Sequence, residues 1–336
     1  MCLTYGDLKV MTRFPLRLLL FLTAAISSVH AERPYFNDKK APESRQDLEA
    51  IQNALTKVLP KAREATVCID IGDGSGSGVI VSPDGLVLTA AHVSTGVGKD
   101  VTVILEDGRK VKAETLGLVA STDAAMVKIL EKGPWPFIDI DKEGTTHLGD
   151  WVFSLGHSGG FDKDRGSVVR LGRLVRVANT TIQTDCSLIG GDSGGPLFDM
   201  NGQLIGIHSR VGQQLQVNMH VPTKEFVANW DGMLQSQFIG EGPFAEKPEK
   251  GSGFLGVATD PHTGGGLKVT KVGRESPAET AGIKEGDVLL KLNGTVLEQR
   301  DQFQNLLKEM AAGDKLEIEA LRAGKPQTFK LRLGER

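Results

Sequence analysis

Cysteine is scarce in this chain, with three in 336 residues. Cys2 falls in what reads as a leader, and the remaining pair, Cys68 and Cys186, reads as two small buried thiols, since export permits a bridge without requiring one. Cys186 has no second base motif to make it a nucleophile. Charge of one sign is also missing. The net charge is -3 with 24% charged residues and no basic tract, which excludes the electrostatic footprint of a nucleic-acid binder. Long hydrophobic runs are absent too. The longest apolar stretch near the start, residues 18–26, is too short to span a bilayer comfortably. Arg13 and Arg17 precede it and small residues 27–31 follow, the pattern of a signal peptide cut after Ala31, with Met11 as an alternative start to Met1. With 40% hydrophobic residues, the rest of the chain can bury two or three modest cores.

What is present concentrates at residues 190–196, which read Gly-Gly-Asp-Ser-Gly-Gly-Pro. At ordinary residue frequencies the last six would arise by chance on the order of 10⁻⁷ per starting position. Glycines around a serine allow backbone angles closed to other residues and let a substrate carbonyl approach the main chain. The backbone amides of Gly191 and Ser193 are thereby candidates for an oxyanion hole, fixed in advance where an acyl-transfer transition state develops negative charge. A serine hydroxyl is a weak nucleophile at neutral pH, so Ser193 requires a base and a carboxylate that orients it.

Both have candidates upstream. His92 follows small residues at the end of an apolar run from 79 to 88 that is broken by Ser82-Pro83-Asp84-Gly85, and Asp123 precedes the strand-like run 124–129. The order His92, Asp123, Ser193 is that of the two-barrel chymotrypsin-like arrangement. In it the imidazole relays the serine proton and the aspartate fixes its tautomer. The site so described needs no metal and no cofactor.

At these residues the chain resembles the HtrA/DegP family of trypsin-like serine proteases. The resemblance runs through residues 89–93, 122–129, 182–185 and 201–207, and extends over nearly everything beyond residue 45. It implies a primary substrate pocket formed by Ser187, Leu188, Ile207 and His208. Ser187 at the pocket floor, with Leu188, Ile189 and Ile207 beside it, disfavours Lys or Arg and favours small or medium apolar side chains. Asp192 departs from the asparagine common in the family. A buried unpaired carboxylate is costly, so Asp192 is expected to find donors nearby. The loop at 174–181 is short where family members often carry a longer regulatory one.

The expected fold is mainly β. Residues 1–31 form the signal peptide, and residues 32–65 an arm and a helix. A capping box at Ser44 and Asp47 opens the helix, Leu48, Ile51, Leu55 and Val58 lie on one stripe, and Pro60 helps end it. By resemblance, Tyr35 and Phe36 are candidates for homotrimer contacts, with an ordinary packed arm as the alternative. Residues 66–239 form the two-barrel protease domain, closed by a helix over 224–239, and residues 240–253 form a linker. Residues 254–336 resemble a PDZ domain, a partly open β-barrel with helices, one of them over 301–310. There Phe254, Leu255, Gly256 and Val257 would present amides to a peptide carboxylate, with Leu306 as a pocket residue.

The resulting reading is an exported serine endopeptidase, periplasmic or secreted, with no stable membrane span expected after cleavage and an uncleaved membrane anchor as the alternative. It acts on unfolded or damaged polypeptides and recognises peptide C-termini, and nucleic acid is not a partner. Two alternatives stand beside it: a peptide-binding chaperone or scaffold with little proteolysis, and a regulatory protease with one specific client.

Overall fold

The computed structural model describes residues 32–335 other than 143, 145 and 213–216. The leader expected at 1–31 lies outside them. A 3₁₀ turn at Tyr35–Asp38 leads into the helix Arg45–Ala65. Its start is the expected reciprocal cap: Ser44 Oγ accepts from the Asp47 amide at 3.2 Å, and Asp47 accepts from the Ser44 amide at 3.1 Å. The Lys39 ammonium donates to both Asp47 oxygens at 2.9 Å and is the main reason that carboxyl is held well below the usual range. The helix does not end at Pro60, which sits inside it. A proline removes one backbone bond, but Ala62 and Ala65 beyond it are fully buried, and that docking carries the helix one more turn. Leu48 lies off the buried stripe, 58% exposed.

The strands Thr66–Asp70, Ser75–Ile80, Leu86–Thr89, Asp100–Ile104, Lys110–Val119 and Ala124–Ile129 form an antiparallel sheet that closes by pairing of the last two. Six more, Trp151–Gly156, Val168–Val177, Ile182–Thr184, Pro196–Asp199, Leu204–Val211 and Asn218–Pro222, form a second closed barrel. Alternation along each strand fills the barrels, with Val67, Ile69, Ile80 and Val127 in the first and Val152, Leu174, Leu197 and Ile205 in the second. A further cluster joins both to the helix and includes Phe153 and Phe198, stacked at 4.9 Å. Cys68 and Cys186 are free and buried, and burial pushes both thiols up to about 11.

The single helix expected over 224–239 is instead two short ones, Thr223–Ala228 and Trp230–Leu234, followed by the strand Phe238–Ile239. Asn229 leaves helical geometry between them, and Ser236 adopts a left-handed φ of 62° that turns the chain. The strand then pairs in parallel with Leu118 and Val119 of the first barrel.

Beyond the linker, the strands Val257–Pro261, Leu267–Val272, Val288–Leu292, Lys315–Arg322 and Lys325–Arg332 form a sheet in that order. Its core holds Leu255, Leu267, Ile283, Leu289, Phe303 and Ile318. Asn293 and Gly294, both at positive φ, make the tight hairpin expected of that pair. The helix Arg300–Lys308 covers one side, so that Val257–Pro261 is an edge strand with the helix beside it.

Replacing Ser44 by alanine is expected to cost about 1 kcal/mol through loss of the cap. Faster amide exchange confined to the helix Arg45–Ala65 is the measurement that checks it.

Candidate active site

The Ser193 loop connects two strands of the second barrel, and its glycines are required by contact. Gly191 has φ +92° and a Cβ there would lie 2.5 Å from the His157 carbonyl; Gly194 has φ +84° and a Cβ would collide with the Ser77 carbonyl and Thr89 hydroxyl. Three bonds hold the loop's carbonyls in place. The Gly190 carbonyl accepts from the Gly159 amide at 2.7 Å, that of Gly191 from Ser77 Oγ at 2.8 Å and that of Ser193 from the Ser77 amide at 2.7 Å. The Gly191 and Ser193 amides themselves donate to no described group. Two donors in the loop that carries Ser193 are therefore left without a described acceptor.

Asp192 has no exposed surface. Its carboxylate accepts from Ser158 Oγ at 2.6 Å and the Ile189 amide at 2.9 Å, and its counter-charge is Arg170, whose Nη2 lies 3.0 Å away. Arg170 also donates to Ser158 Oγ at 2.9 Å, which closes the network. The donors are thus only partly local, because Arg170 lies on the strand Val168–Val177.

His92 occupies the one-turn helix Ala91–Ser94, next to the completely buried Ala91, where a larger side chain would not fit. Its Nδ1 lies 3.0 Å from each Asp123 oxygen, and its amide donates to Oδ1 at 3.1 Å. Asp123 is buried with a left-handed φ of 65° and accepts a third bond, from Ser209 Oγ at 2.5 Å. An acceptor at Nδ1 places the imidazole proton there and leaves Nε2 as a base. His92 and Ser193 line one cleft of about 380 Å³ with Leu188, Ile189, Gly190, Ser209, Arg210, Val211 and Phe244. No described hydrogen bond joins Ser193 Oγ to His92, and such bonds often form only when substrate arrives.

Of the expected pocket residues, Leu188 lines this cleft and Ser187 is exposed beside it. Ile207 and His208 have no exposed surface and do not line the cleft; Ile207 packs in the cluster that joins the barrels to the helix. His208 belongs to a buried chain. The Thr184 hydroxyl meets His220 Nε2 at 2.8 Å, the two Nδ1 atoms of His220 and His208 are 2.9 Å apart, and His208 Nε2 meets the Leu155 carbonyl at 3.1 Å. One proton per ring satisfies every link in a single direction, from Thr184 to Leu155. Burial pushes His208 down to about 3 and His220 well below its ordinary value, and burial with the nearby Arg165 charge takes His157 to about 4. Sequence reading did not find Ser209, Arg210 or Phe244, since no motif marks them and each reaches the cleft through tertiary packing.

A second groove, of about 310 Å³, runs between the edge strand Val257–Pro261 and the helix Arg300–Lys308. Phe254, Leu255, Gly256 and Val257 all line it. Leu306 does not. The helical face presented is Arg300, Phe303, Gln304 and Leu307, in 3.6-residue spacing, while Leu306, half-buried like Leu307, packs against the core without lining the groove. Gly256 has φ +86°, and a Cβ would collide with Ser276.

Residues 76–207 match the trypsin-like peptidase domain family and residues 253–333 match the PDZ domain family. The fold and site therefore define a trypsin-like peptidase domain followed by one PDZ domain. The chain is 31% identical over 269 residues to a probable periplasmic serine endoprotease, DegP-like, of Marinomonas sp., covering 78% of this chain and 57% of that one. It is 30% identical over 280 residues to the putative serine protease HhoB of Synechocystis sp., covering 78% and 66%. Among solved structures it resembles the serine endoprotease from Yersinia pestis at 26% identity and a TM-score of 0.48, covering 88% of this chain and 99% of that one. Along this length it is similar to DegP-like serine endoproteases. The chain spans somewhat over half the length of most of the curated relatives it matches.

Arg170→Met is expected to cost about 3–5 kcal/mol, because it leaves Asp192 buried without its counter-charge. The double variant R170M/D192N should recover most of the loss in denaturant unfolding. The three depressed histidines bind protons more readily once unfolded, so their contribution to stability is complete above about pH 6.5 and is lost as pH falls. The unfolding midpoint should accordingly drop from pH 6.5 to 4.5, as followed by circular dichroism.

Proposed function

We propose that the chain is a serine endopeptidase in which Ser193, His92 and Asp123 act as a catalytic triad and the Gly191 and Ser193 amides form the oxyanion hole. The observation that carries this reading is the His92 imidazole, bonded through Nδ1 to Asp123 and opening onto the same cleft as Ser193. In the mechanism, Ser193 Oγ attacks the peptide carbonyl as His92 Nε2 takes its proton. The carbonyl oxygen gains charge and is stabilised by the two free amides. Imidazolium formation is offset by Asp123, itself oriented by Ser209 and the His92 amide. His92 then returns the proton to the leaving amine, and water repeats the sequence on the acyl-enzyme. Leu188 and Ile189 give the cleft an apolar wall, which supports a preference for small or medium apolar side chains over Lys or Arg.

The second groove supports recognition of peptide C-termini by strand addition to Val257–Pro261, with the carboxylate at the Phe254–Val257 turn. Unfolded or damaged polypeptides are the substrate class we assign, and the periplasm the compartment. The relatives named as periplasmic and the leader pattern at 1–31 support the latter. No helix among the described residues is long and apolar enough to cross a membrane. A homotrimer through the arm would rest on Tyr35, 48% exposed, because Phe36 is buried in the chain's own core.

Ser193→Ala should lower casein hydrolysis on the order of 10⁶-fold and abolish labelling by an organophosphonate, with circular dichroism unchanged. Persistent cleavage by that variant would remove Ser193 from the mechanism. Steady casein digestion supports the endopeptidase, negligible digestion the chaperone, and digestion only with added C-terminal peptide the regulatory protease. Val257→Glu should abolish C-terminal peptide binding measured by calorimetry.

A further inference from the structure

Among the described residues lining the cleft, Arg210 carries the one permanent charge. It is exposed, and no described carboxylate pairs with it. Its guanidinium lies over the ring of Phe244, 4.9 Å from the centroid. Phe244 comes from the segment between the protease barrels and the PDZ-like unit, and it packs on a cluster containing Ala91, Leu118, Ala120 and Ala125. These residues flank His92 and Asp123 in sequence. The aromatic ring therefore holds the guanidinium at the cleft mouth from a support tied to the candidate catalytic groups.

The backbone beside Arg210 is equally suggestive. The strand Leu204–Val211 pairs with Pro196–Asp199 only as far as Ile207, whereas its other edge pairs Arg210 with Met219 and Val211 with Asn218. Among the described residues, the strand beyond His208 has a neighbour on one edge only, and an extended polypeptide can lie along the other by strand addition. A planar guanidinium with its face covered by a ring still offers its edge donors, in the fork geometry that fits a carboxylate. We propose that Arg210, backed by Phe244, is a specificity subsite that selects an acidic side chain close to the scissile bond. The subsite rests on the endopeptidase reading above and extends it: apolar where the chain is cut, acidic within a few residues of the cut.

Internally quenched peptides with an apolar residue at the cut, carrying Asp, Asn or Lys in turn at each of the four positions on either side, test it. Rates are expressed per site titrated by organophosphonate. At one position Asp should be favoured over Lys by about threefold to tenfold in kcat/KM at low salt, and the preference should shrink in 0.5 M salt. R210E should invert the preference at that same position. F244A should weaken it, because the guanidinium loses its support. An Asp-to-Lys ratio identical in wild type and R210E at every position would overturn the subsite, and an unchanged ratio in F244A would overturn the part assigned to the linker. Binding of the same peptides, C-terminally amidated to keep them off the PDZ groove, to S193A reads the charge preference without turnover. Failure of proteolysis and failure of the subsite therefore give different results.

Discussion

The Asp192 carboxylate is shut away from water, directly beneath the backbone on which the candidate chemistry depends. A charge in that position is tolerated only with a counter-charge and a full set of donors, and Arg170, Ser158 and the Ile189 amide supply them. Because Asp192 lies between Gly191 and Ser193, whatever fixes its side chain also fixes the two amides that flank it. The ion pair links the loop to the strand Val168–Val177, and through that strand to the closed second barrel. Trypsin holds the corresponding aspartate with a newly released amino terminus. Here the partner is a side chain already in place once the barrel closes, so nothing need be cut for the loop to take this shape.

Much of this was legible in advance where a backbone requirement leaves a residue type behind. The glycines at 191 and 194 mark positions where a side chain would collide with the chain, and Asn293-Gly294 marks a hairpin that needs positive φ. The cap at Ser44 was equally readable, since capping chemistry is local. The errors share one cause. Pro60 and the 224–239 segment were read by local propensity, whereas burial of Ala62 and Ala65 and the pairing of Phe238 with Leu118 decided the outcome. Leu306 was one position off because a groove-facing residue depends on helix phase, which the flanking packing sets.

The candidate site divides in the same way. The roles proposed for Ser193, His92 and Asp123 are ones that only certain residue types can perform, so these residues can be found in a string of letters. Arg170, Ser209, Arg210 and Phe244 reach the site only through tertiary packing, and any polar or aromatic residue looks alike until the chain is folded. His208 shows the converse hazard. A histidine beside the nucleophile strand suggests substrate contact, yet its two nitrogens are taken by His220 and Leu155 within the barrel.

The short strand Phe238–Ile239 has a bearing on how the chain comes into being. It lies along Lys110–Val119 in parallel, and a partner joined by so long a crossover must wait for the whole second barrel to be synthesised. A nascent chain released or cleaved before that point would leave the first barrel with a bare hydrogen-bonding edge, the kind of surface that recruits strands from other chains. The fold thus leaves the Leu118 and Ala120 amides, in the half that carries His92 and Asp123, without their acceptors until the residues that follow the Ser193 half have been made.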